Sequence, residues 1–163
     1  MALLKSSVCR ERDFYSDWYH EWRKIFLEAS PELNEAEKKF GKIWTSIVQG
    51  KYMHRKLWEW AAIAQILKER GMLCSGKEGL GFAVGTEPLP SLFGSMGCII
   101  TATDYVDGCE AENWKETGQL SGCLADVHWP KVIDIDTFRE RVSFRSVDMN
   151  KIDDLPCESY DFL

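Results

Sequence analysis

The run Gly79-Leu80-Gly81-Phe82-Ala83-Val84-Gly85-Thr86-Glu87-Pro88-Leu89-Pro90 decides how this chain is read. Gly79 to Val84 is short, apolar and glycine-rich, the pattern of a buried strand. Gly85-Thr86-Glu87-Pro88 follows as a tight turn. Pro88 is suited to open a helix, and Gly97 to close it after Met96. Cys98 to Ala102 is a second apolar run, ended by Thr103-Asp104. Strand, turn, helix and strand in this order make a βαβ unit, which implies a parallel sheet.

Upstream the grammar is helical. Phe14, Trp18, Trp22 and Phe26 are spaced four apart and predict an aromatic face on a helix from Asp13 to Ala29. Ser30-Pro31-Glu32 reads as the start of a second helix reaching about Phe40. A third is predicted from Tyr52 to Arg70, with Leu57, Trp60, Ala61, Ala64 and Leu67 on its stripe and Gly71 as its stop. Downstream, Gly118, Gly122 and Pro130 predict a long irregular connection over 107–132. Asp136 to Glu140 predicts a helical turn, and Val142 to Val147 alternates as a third strand ending at Asp148. Tyr160 to Leu163 reads as the start of a fourth.

The chemistry concentrates at the glycine turn. A turn between a strand and a helix start exposes backbone N–H groups, and glycine lets a ligand approach them. Asp104 follows Gly85 by 19 residues, where an acid ending the next strand can accept ribose hydroxyls. Asp148 is expected further along the same edge, facing an adenine amino group. The dinucleotide fingerprint G-x-G-x-x-G fails, because its third position is Val84 or Thr86. Glu87 would also repel a pyrophosphate, whereas a cationic sulfonium tolerates it. There is no G-x-x-x-x-G-K-[ST], so a P-loop is excluded.

With these residues the chain resembles the class I S-adenosylmethionine-dependent methyltransferases from about Lys51 to Leu163. Their first motif is an apolar strand followed by G-x-G-x-G. The tract Gly81 to Glu87 is similar to it, with Ala83 and Gly85 at the first two glycine positions and Glu87 at the third. Asp104 matches the family's ribose-binding acid, and Asp148-Met149 its adenine-contacting pair. The resemblance implies S-adenosylmethionine as cofactor, held by Gly81, Ala83, Gly85, Thr86, Glu87, Asp104, Asp148 and Met149. It also implies an α/β fold, a Rossmann-like parallel sheet over 51–163 preceded by a helical region over 1–50. Two departures stand out: Ala83 replaces a glycine, and Gly81 stands where many members carry an acid. The family places its catalytic groups after strand four, so none is assigned, and the methyl acceptor is unknown.

Each feature also has a plainer reading. The glycines can serve a close strand–helix contact, Asp104 and Asp148 can be strand-end turn residues, Met149 can be core, and Glu87 can favour the first turn of a helix. The five Trp among the first 60 residues (Trp18, Trp22, Trp44, Trp58 and Trp60) admit a non-catalytic interaction module built on the N-terminal helices. Trp114, Gln119 and Trp129 fall in the irregular connection, within reach of a substrate or cofactor edge.

The net charge of −6 comes without a basic stripe, which speaks against a nucleic-acid partner. No CxxC pair accompanies the three His, which speaks against zinc, and Asp134-Ile135-Asp136 reads as solvated acids. No apolar run of spanning length occurs, and with no secretion signal the expected location is cytoplasmic with reduced thiols. Ending at the start of strand four, the chain is expected to be a cofactor-binding half without transferase activity of its own. An exposed strand-one edge would then favour homo-oligomers.

Overall fold

The computed structural model describes residues 8–29, 53–105, 120–150, 152, 155 and 159–163. The chain divides after Leu73 into two compact units, each with its own packing.

In the first unit a 3₁₀ turn, Glu11–Tyr15, leads through extended Ser16 into helix α1, Asp17–Ala29. The break at Ser16 resets the helical register. Phe14 is therefore followed on the buried face by Tyr19, Trp22 and Phe26, while Trp18 is half-exposed. The even spacing from Phe14 to Trp18 does not survive, because the two residues belong to different helical segments. Helix α2, Arg55–Glu69, packs against α1. Phe26 and Trp60 meet at 5.8 Å between ring centroids, and Trp22 Nε1 donates to buried Gln65 Oε1 at 2.9 Å. These contacts put α2 in the first unit, so the division lies at Leu73/Cys74 and not at the 50/51 boundary expected from the sequence. Gly71, with φ +68°, ends α2 as predicted: Met72 N donates to Leu67 O and Gly71 N to Lys68 O, a Schellman stop. The second helix expected over 31–40 lies outside the described residues.

The second unit is an α/β fold with a Rossmann-like parallel sheet. Strand β1 is Glu78–Gly81, helix α3 Leu89–Ser95, strand β2 Ile99–Asp104, helix α4 Ile135–Arg141 and strand β3 Val142–Ser146. The three strands pair in the order β1-β2-β3, all parallel, with Gly81 opposite Ala102 and Asp104 opposite Ser146. Leu80, Ile100, Ala102 and Val142 from the sheet, Leu92 and Phe93 from α3, and Phe138 from α4 are all buried. No helix among the described residues is long and apolar enough to cross a membrane.

Strand β1 is not the edge of this sheet. Gly79 is partnered by Ile100 on one side and, in a parallel bridge, by Phe162 on the other. Leu80 N donates to Phe162 O at 3.1 Å, and Asp161 N to Glu78 O at 2.8 Å. The expected route to homo-oligomers through a bare β1 edge is therefore closed by the chain's own residues 161–162. The spatial order becomes Phe162, β1, β2, β3, and it reverses direction at β1. In open parallel sheets the crevice at the carboxyl ends of the strands flanking such a reversal is where ligands bind.

Candidate functional site

The carboxyl end of β1 turns sharply. Ala83 has φ +48° and Gly85 φ +54°, so two residues in three occupy the left-handed region. For Gly85 this is easy, but for exposed Ala83 it is strained by about 1–2 kcal/mol. The strain explains why β1 stops at Gly81 and does not run on to Val84 as the apolar pattern suggests. Thr103 Oγ1 donates to Gly81 O at 3.0 Å and Val84 N to Thr103 O at 3.1 Å, which ties the turn to β2. A Cβ on Gly81 would lie 2.7 Å from Val84 Cγ1, so residue 81 is glycine for packing reasons. The carbonyl of Thr86 accepts from Trp129 Nε1 at 3.2 Å.

The centre of the site is Asp104, only 6% exposed at the end of β2. Its Oδ2 accepts from Gly85 N at 3.1 Å and from Ser121 N at 3.0 Å, and its Oδ1 accepts from Tyr105 N at 2.9 Å. Ser121 is fully buried, and its Oγ donates to Gly85 O. A carboxylate offers about four acceptor positions, so three protein donors leave room for about one more. Asp104 thus sits where the sequence puts it, against the glycine turn, but it is also a structural anchor for three backbone segments.

The remaining expected ligand residues are arranged less favourably. Val147 N donates to Asp104 O at 2.9 Å, which brings the end of β3 to the same sheet edge. Asp148 Oδ1, however, accepts from Asn150 N and Asn150 Nδ2, both at 2.9 Å, in a local turn. Met149 is 60% exposed and is not core. Thr86 and Glu87 are half-buried at the end of the turn, with Glu87 N donating to Val84 O at 3.3 Å.

The acids of the Asp134-Ile135-Asp136 run have a helical role. Asp134 caps α4, accepting from Thr137 N at 2.9 Å, and that N–H holds its carboxyl below the usual carboxylate range. Among the described residues no three His, Cys, Asp or Glu side chains group as a metal site would require.

Two residues of the site were not singled out from the sequence for the roles they play. Ser121 gave no signal, since it lies in a stretch without periodicity and its partners are backbone atoms distant in sequence. Trp129 was visible only as a large aromatic in an irregular stretch. Its indole lies buried under the turn, and its backbone N–H donates to Ser91 Oγ at 2.9 Å. Trp114 and Gln119 lie outside the described residues. Comparison of the chain with models of protein families, with curated proteins and with solved structures finds no match in any of the three.

Proposed function

We propose that this chain binds S-adenosylmethionine at the carboxyl ends of β1 and β2, as the cofactor-binding half of a class I methyltransferase. The observation that supports this most is Asp104 Oδ2 at 3.1 Å from Gly85 N, an acid and a glycine turn on adjacent parallel strands beside the reversal at β1. In this reading Asp104 accepts both ribose hydroxyls, one on the position its backbone partners leave and one on Oδ2, where Ser121 N now donates. Gly85 and Thr86 approach the cofactor with backbone, and Glu87 favours its cationic amino-acid end. Asp148 and Met149 follow β3 on the adenine side. S-adenosylmethionine supplies the methyl group; the part of the chain is to bind and orient it. Titration calorimetry with S-adenosylmethionine and S-adenosylhomocysteine tests the reading. Saturable heat with both, and none with NADH, is the expected result. Absence of heat with both cofactor forms would overturn it.

A second reading is favoured by Ser121, which fills hydrogen-bonding positions of Asp104 and Gly85 from within the chain. It is a non-catalytic Rossmann-like module, in which Trp18 is, among the described residues, the half-exposed tryptophan left to meet a partner, since Trp22, Trp58 and Trp60 are buried within the first unit. In that case the Asp104 cluster is a staple, and neither cofactor form binds.

A further inference from the structure

Ser121 makes two contacts of the kind a ribose would make. A vicinal diol bound at such a sheet edge gives a hydrogen bond to the acid ending the second strand and lies against the glycine turn. Ser121 N already donates to Asp104 Oδ2 at 3.0 Å, and Ser121 Oγ already donates to the carbonyl of Gly85. The arrangement is closed to solvent, with Ser121 fully buried and Asp104 nearly so. A ligand hydroxyl that reaches Oδ2 therefore has to displace Ser121, because Gly85 N holds the other position on that oxygen at 3.1 Å. We infer that Ser121 is a built-in competitor for the ribose position, and that the site binds cofactor only in the fraction of molecules whose Ser121 has withdrawn.

The inference rests on the cofactor reading proposed above, and it adds a regulatory property to the same site. Apparent affinity is the intrinsic affinity reduced by the fraction of chains in the binding-competent state. The Ser121 hydroxyl contributes to the closed state about what a neutral hydrogen bond contributes to stability. Removing it raises the competent fraction while Asp104 and the glycine turn stay in place.

The experiment compares the intact chain with Ser121→Ala, using S-adenosylhomocysteine as the probe. Affinity is read by calorimetry, and exchange of the Ser121 amide by nuclear magnetic resonance with and without the probe. The expected result is about three- to tenfold tighter binding by Ser121→Ala. The Ser121 amide of the unmodified chain should also exchange faster when the probe is bound, although the amides of β2 exchange more slowly. Binding of equal strength in the two proteins, with the Ser121 amide still protected in the complex, overturns the competitor and leaves the cofactor reading standing. No binding by either protein overturns the cofactor reading itself, and the competitor with it. If Ser121→Ala does not fold, the amide exchange of the unmodified chain alone decides between displacement and persistence.

Discussion

The ring of Phe162 lies against Gly79 in space that any side-chain carbon on residue 79 would enter. Gly79 is also the residue at which β1 is paired on both sides, so the strand order reverses where the side chain is missing. Phe162 closes the contact from above by meeting Phe93 of α3 edge to face, 6.0 Å between centroids. Gly79→Ala should therefore destabilise the second unit by overpacking, about 1–3 kcal/mol in urea unfolding. In a Phe162→Ala background the same change should cost clearly less, with a coupling above about 0.5 kcal/mol. Equal costs in the two backgrounds would show that the ring is not what fixes residue 79.

Ala83 carries the strain of the turn. Its φ of +48° suits glycine, and its side chain is exposed, so replacing it removes little packing. Ala83→Gly gives up part of the gain through the larger entropy of the unfolded chain. The expected balance is a stabilisation of up to about 1 kcal/mol by urea unfolding. Ala83→Val should lose about 1–3 kcal/mol, since a β-branched residue tolerates this region worse. A clearly destabilising Ala83→Gly would mean that the left-handed turn is not populated.

Much of the second unit is legible in the sequence because its signals are local. The apolar run before Gly85, the spacing to Asp104, and the alternation from Val142 onward each report a strand without knowledge of its partner. Gly71 reports a helix stop in the same way. What the sequence does not carry is who satisfies whom. Asp104 looks like a ligand residue from spacing alone, yet in the fold it accepts N–H groups from Gly85, Tyr105 and Ser121. Gly79 and Gly81 look like parts of a ligand turn, yet Phe162 and Val84 require them. Long-range backbone satisfaction has no period and no composition, so no pattern announces it.

The pair Lys77–Asp161 pins the Phe162 segment at the amino end of β1. Nζ and Oδ1 are 2.5 Å apart, and Asp161 Oδ2 accepts from Glu78 N at 2.9 Å. The Lys77 ammonium and the Glu78 N–H together hold the Asp161 carboxyl below its ordinary 3.8, and the carboxylate in turn raises Lys77 above its ordinary 10.5. A depressed carboxyl contributes stability above its unfolded value and loses it as pH falls through the folded one. A raised lysine contributes below its unfolded value and loses it as pH rises through the folded one. The pair should thus contribute fully from about pH 4 to about pH 10. Urea midpoints of the unmodified chain and Asp161→Asn should differ within that window, less so at high salt, and converge in acid. A difference that persists below the folded carboxyl range would remove the pair from the account.

His54 caps α2 with a neutral ring, its Nδ1 accepting from Lys56 N at 3.2 Å. Burial first, and then the neighbouring Arg55, lower its pKa from the ordinary 6.5. The unfolded chain therefore takes up the proton first, and the first unit should lose stability as pH falls below about 6.5. His54→Asn keeps a capping acceptor that does not titrate. Its stability should be flat across the range in which the histidine form declines, as followed by helical circular dichroism in urea at several pH values. Parallel declines in the two proteins would place the titration elsewhere.

Asp104 requires two different substitutions, because it anchors backbone as well as facing the candidate site. Asp104→Ala deprives Gly85 and Ser121, both buried, of their shared acceptor, and each orphaned donor costs about 1–3 kcal/mol. The expected loss is about 2–5 kcal/mol, with the amides of Gly85 and Ser121 losing exchange protection together. That variant cannot distinguish lost binding from a lost turn. Asp104→Asn can. Its amide oxygen is able to occupy the Oδ2 position and keep both buried donors, while its NH₂ group faces Tyr105 N, whose residue is exposed and open to water. The Tyr105 bond, which water replaces, and the charge assistance are given up, about 1–2 kcal/mol together. Asp104→Asn should remain folded with Gly85 and Ser121 still protected, yet bind S-adenosylhomocysteine about tenfold or more weakly, since a ribose hydroxyl loses its charged acceptor. Undiminished affinity in a folded Asp104→Asn protein would leave Asp104 as an anchor of the turn and nothing more.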